Sequence, residues 1–106
     1  MPSMQVLLYS PGAEPKAIKP EGFVVPKSDK DFAAVPDQVR ALLNCHPDLV
    51  DILACGAGYV VYSVFDSEGE ENLAAMVALS RLTGIDLNAD DEDEQLRGNI
   101  LFVDNR

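Results

Sequence analysis

Six carboxylates fall within nine residues of this chain, Asp86, Asp90, Asp91, Glu92, Asp93 and Glu94. A hard cation is held by several converging oxygens, and Asp86, Asn88 and Asp90 supply them at positions 1, 3 and 5 of a calcium-loop pattern. The second half of the pattern does not follow. Position 6 is Asp91 where the sharp turn wants glycine, and position 12 is Arg97 where a bidentate glutamate closes the shell. No metal site is therefore assigned. What remains is a solvated acidic loop or a docking surface. Asp66, Glu68, Glu70 and Glu71 form a second acidic group, and the two groups together are expected to present negative charge spaced like a phosphate backbone. Such a surface fits the basic channel of a nucleic-acid-handling protein, which is the action of a DNA mimic. Simple solubility is the competing use of the same charge.

Thiol and imidazole chemistry has fewer parts. Cys45 and Cys55 are the two cysteines and His46 the one histidine, and the spacing C-H-x8-C matches no standard zinc finger. A Cys–His nucleophile would rest on these three residues alone, whereas His46 before Pro47 reads simply as a helix-boundary residue. Two cysteines are too few for a disulfide framework, so both are expected as reduced, partly buried thiols. Gly56-Ala57-Gly58 precedes an apolar run instead of following a strand and opening a helix, so it lacks the geometry that aims backbone N–H groups at phosphate. With no catalytic constellation, the chain reads as a non-enzyme without a cofactor.

The surroundings of these residues follow from composition. The 106 residues carry 18 acidic and 8 basic side chains, for a formal net charge of −10. Residues 66 to 106 hold 11 acids and 3 bases, against 7 and 5 in residues 1 to 65, so the acidity belongs to the C-terminal part. Lys16, Lys19, Lys27 and Lys30 make a small basic patch interrupted by prolines and acids, which disfavours direct nucleic-acid binding. A hydrophobic fraction of 47% with 25% charged residues excludes a disordered chain. One domain over residues 1–106 is expected, with a Pro-rich irregular segment over 10–30 and the acidic loop over 86–94. A domain this size supports one core and leaves function to its surface or a shallow groove. The opening MPSMQVLLYSPG lacks a basic n-region and a cleavage site, and no apolar run is long enough to span a bilayer. A cytoplasmic protein without membrane contact is expected.

The elements that must position the acidic groups can be read in order. Met4 to Tyr9 is a short apolar strand closed by Ser10-Pro11-Gly12. Prolines 11, 15, 20 and 26 confine any strand of the next stretch to a sheet edge. Pro36 opens a short helix with Asp37 in its first turn and Val39, Leu42 and Leu43 on one face. Pro47 is expected to start a second short helix, with Leu49, Ile52 and Leu53 on one face, ended by Gly56 and Gly58. Residues 58–65, GYVVYSVF, are a strand covered on both faces. Ser67 and Glu70 have capping-box spacing at the head of a helix over 70–83 that Gly84 stops. Its Leu73, Met76, Val77, Leu79 and Leu82 cover most of the circumference, which either receives the helices of residues 36–53 on its outer side or faces a partner. Residues 99–103, NILFV, are a last buried strand. The expected fold is a small single α+β domain, with a mixed sheet of about four strands and two to three helices mainly on one face.

The stretches V-L-L-Y-S-P-G-A-E-P at 6–15, D-S-E-G-E-E-N at 66–72 and R-G-N-I-L-F-V-D at 97–104 together resemble a family of small uncharacterised proteins frequent in phages, plasmids and other mobile elements. The resemblance offers Pro11, Gly12, Gly69, Asn72 and Gly98 as structural signatures. It implies a bacterial or mobile-element origin and a non-secreted protein, and supplies no reaction. This chain departs from the family after the middle turn, where the alanine-rich helix replaces a proline and an asparagine–arginine pair. The functional expectation is a non-enzymatic interaction or regulatory module whose contacts are Asp66, Glu68, Glu70, Glu71, Asp86, Asp90, Asp91, Glu92, Asp93 and Glu94. Its partner is a protein with a basic surface; the alternative is an accessory subunit forming a homo-oligomer through the 73–82 helix.

Overall fold

A computed structural model describes residues 4–28, 30–31, 35–65, 69–85 and 96–105. Five strands form one sheet in the order β2-β1-β5-β4-β3, where β1 is Gln5–Tyr9, β2 Lys16–Ile18, β3 Val50–Gly56, β4 Tyr59–Val64 and β5 Ile100–Asp104. Helix α1 is Asp37–Leu43 and helix α2 Leu73–Thr83. The class is α+β, as the residue pattern predicts. Among the described residues the sheet has five strands where about four are expected, and every pair is antiparallel, so it is not mixed.

The last strand is the central one. Ile100, Leu101, Phe102 and Val103 are all buried, which requires cover on both faces, and insertion of β5 between β1 and β4 provides it. Partners across an antiparallel ladder share a face. Val6, Val103 and Val60 therefore form one row and Leu8, Leu101 and Tyr62 the next, and both rows pack under Val39 and Leu43 of α1. Phe23, from the Pro-rich segment, is buried in the same core. Phe102 and Val61 point the other way, with Ile100, toward Ala75, Met76 and Leu79 of α2, and Leu7, the cross-strand partner of Phe102, lies on that same face. The two helices thus lie on opposite faces of the sheet. This corrects both the expectation of helices mainly on one face and that of cover for the outer side of α2 by residues 36–53.

A second correction concerns residues 47–56. Pro47–Leu49 makes a single 3-10 turn, and Val50–Gly56 is strand β3 instead of a helix. Leu49, Ile52 and Leu53 satisfy a helical spacing, but β-branched Val50 and Ile52 pair with Val64 and Tyr62 across a tight hairpin. A register shift between Ile52 and Ala54 turns both Leu53 and Ala54 toward the α2 core. The hairpin closes through Ala57 and Gly58. Gly58 has φ +86°, a conformation that β-carbon sterics disfavour in other residues. A Cβ on Gly56, opposite Tyr59, would lie 2.7 Å from the Tyr59 ring. Among the described residues of the Pro-rich stretch the one strand, β2, is at the sheet edge, as proline content predicts.

Candidate functional site

Of the ten acidic residues expected to form a contact surface, Glu70 and Glu71 lie among the described residues, and both are exposed. Asp66, Glu68, Asp86, Asp90, Asp91, Glu92, Asp93 and Glu94 lie outside them, as does Ser67 of the expected capping box. The described flanks of the two acidic segments are held side by side. Glu71 and Arg97 form an isolated antiparallel bridge. Asn72 N–H donates to the Leu96 carbonyl at 2.7 Å, Gly98 N–H to the Glu70 carbonyl at 3.0 Å, and the Arg97 guanidinium to the Gly69 carbonyl at 3.2 Å.

This junction also sets the start of α2. Asn72, not Ser67, is the N-cap, so the helix begins at Leu73 and Glu70 and Glu71 precede it. The Asn72 side chain is 1% exposed. Its Nδ2 donates to the Tyr9 carbonyl at 3.0 Å and the Gly98 carbonyl at 2.8 Å, while its Oδ1 accepts from Ala75 N–H at 3.2 Å. One amide thereby fastens the end of β1, the approach to β5 and the first turn of α2 together. Its spacing from the apolar run is legible in the sequence; its partners 63 and 26 residues away are not.

The thiol and imidazole residues do not assemble. His46 is exposed between α1 and the 3-10 turn, where its Nδ1 accepts from Asp48 N–H at 3.2 Å. Cys45 is half-buried, and burial pushes its thiol pKa up, away from the reactive thiolate. Cys55 is exposed on β3, which corrects the expectation that both thiols are partly buried. Both are free, and among the described residues no group of three or more His, Cys, Asp or Glu side chains is placed to hold a metal ion.

A concavity absent from the sequence reading lies on the α2 face. Its floor is Leu7 and Phe102, a cross-strand pair, with Gln5 opposite Asp104 at one end and Tyr9 beyond. Its wall is one face of α2, Ala78, Arg81 and Leu82. The trough has a volume of about 290 Å³. The Tyr9 and Phe102 rings are 4.9 Å apart and tilted at 60°. Burial raises the Tyr9 hydroxyl pKa, partly opposed by the Arg81 charge, so the phenol is a protonated donor at neutral pH. Residues 5 to 9 reach it from β1, 78 to 82 from α2 and 102 to 104 from β5, and no local spacing connects these three stretches.

No family model, curated protein or solved structure matches this chain. Among the described residues no helix is long and apolar enough to cross a membrane.

Proposed function

We propose that this chain is a non-enzymatic interaction module that docks a protein with a basic surface through its two acidic segments, residues 66–71 and 86–94. The observation that supports this reading is the Glu71–Arg97 bridge, which joins the described flanks of both segments at one end of the sheet. The bridge brings together Glu71, in the first run, and Arg97, shortly after the second, which supports a reading in which both runs serve one contact. The sharper form is a DNA-mimicking inhibitor of a nucleic-acid-handling protein in a bacterial or mobile-element setting, where clustered carboxylates stand in for phosphates.

The test is capture of partners from a bacterial lysate on the immobilised chain, beside a variant with the acids of 86–94 changed to their amides. A nucleic-acid-handling protein should be retained at low salt, released at about 0.5 M salt where the Debye length is only a few ångström, and missed by the variant. A partner held through high salt, or held equally by the variant, overturns the proposal. A second reading, self-association through α2, is favoured by Leu73 and Val77, which stand one turn apart on the helix and are 54% and 51% exposed.

A further inference from the structure

We infer that the outward face of α2 docks an amphipathic helix of a partner protein, one whose apolar face is bordered by lysine or arginine. The inference rests on the reading of the acidic segments as a contact for a basic protein, and names the partner element and the helix that receives it.

Buried Ala75, Met76 and Leu79 turn one side of α2 to the sheet. Exposed Leu73, Ala74, Val77 and Arg81 fall within an arc of about 100° on the other side. Leu73 and Val77, more than half exposed, stand one turn apart. The alkyl stem of Arg81 continues the strip by another turn, to about 12 Å along the helix axis. Side chains at this spacing form a ridge that packs into the grooves of a second helix, which meets it with apolar anchors of the same period. Acid stands at both ends of the strip. Exposed Glu70 and Glu71 precede Leu73, and beyond Gly84 the exposed Ile85 is followed in sequence by Asp86 and the acids of 90–94. A face that is apolar in the middle and anionic at its ends complements a helix with an apolar face and cations at its ends.

The same charge favours a foreign helix over a second copy. A parallel pair of α2 helices sets Glu70 and Glu71 beside their own copies, and an antiparallel pair sets them beside the chain that leaves Ile85 for Asp86. Acid meets acid in either orientation, on chains of net charge −10 each.

The test uses two peptides of about fourteen residues with the same leucine and lysine content, one with its leucines at helical spacing on one face and one shuffled so that no face is apolar. Each is titrated at low salt into the full ¹⁵N-labelled chain while backbone amide shifts are followed. The amphipathic peptide should give saturable shifts centred on Leu73, Ala74 and Val77, and should bind about tenfold or more tightly than the shuffled one. Leu73→Gln with Val77→Gln should remove that advantage and leave the affinity for the shuffled peptide unchanged, whereas Glu70→Gln with Glu71→Gln should weaken both peptides about threefold. The two peptides are compared on the unaltered chain, so the inference stays testable even if a variant fails to fold. Equal affinity for both peptides, or shifts that miss Leu73 and Val77, overturns the inference and leaves the acidic contact standing; binding of neither peptide overturns both. A dimer of the chain alone that Leu73→Gln with Val77→Gln abolishes gives this face to a second copy and also overturns the inference.

Discussion

Asn72 occupies a buried position where a polar side chain is costly unless hydrogen-bonded, and both its Nδ2 and its Oδ1 have partners. Asn72→Ala removes an N-cap and strands the carbonyls of Tyr9 and Gly98, so unfolding in urea should show a loss of about 3 kcal/mol. A loss under about 1 kcal/mol would mean that water replaces these contacts. Tyr62 makes a prediction about pH. It is wholly buried, and desolvation first, with a smaller contribution from Cys55, pushes its pKa up to about 12. The unfolded phenol ionises near 10, so between about pH 10 and 12 the unfolded state has lost a proton that the folded state keeps. Stability from this group is therefore complete below pH 10 and declines as pH rises to about 12, by about 2 to 3 kcal/mol in all. Tyr62→Phe should flatten that part of the stability curve, measured by denaturant titration at successive pH values.

The β3–β4 hairpin is where local spacing and sheet pairing compete. A helix over residues 47–56 would place Leu49, Ile52 and Leu53 on one side, but the hairpin pairs six residues of β3 with β4 and closes the exposed edge of the latter. Its turn is also tied to distant chain: Gly58 N–H donates to the Pro26 carbonyl at 2.8 Å, and Asn105 N–H to the Gly58 carbonyl at 2.7 Å. Gly58→Ala forces an L side chain into φ +86° and should cost about 1 kcal/mol or more, seen as a fall in Tm of about 5 °C. An unchanged Tm would show that the turn shifts to another conformation at no cost.

At the scale of the whole molecule, a helix on each face gives the sheet two separate cores, one under Val39 and Leu43 and one under Met76 and Leu79. The consequence for α2 is that Met76, at 4% exposure, belongs to the core, whereas Leu73 and Val77 face outward. If self-association uses this helix, sedimentation at high concentration should show a dimer that persists in high salt, because apolar contact is not screened. Val77→Glu should abolish it without lowering stability by more than about 0.5 kcal/mol, since the position is exposed. A strictly monomeric parent chain would remove this reading and leave the electrostatic one.

Much of the architecture is written locally. The runs at 5–9, 59–64 and 100–104 are apolar enough to require burial, and their lengths suit strands. Gly84, left-handed at φ +75°, stops α2 where its residue type predicts. The acidic segments announce themselves by composition alone. What the tertiary structure decided is which element pairs with which. Helix start, strand order and face assignment depend on contacts between distant residues: Asn72 with Tyr9 and Gly98, β5 between β1 and β4, Val50 with Val64. The trough on the α2 face depends on them most, because its residues come from three separate elements. Hydrophobic period tells a segment that it must be covered, but not by what, and a helical spacing at residues 49–53 yields when a neighbouring strand supplies both hydrogen bonds and cover.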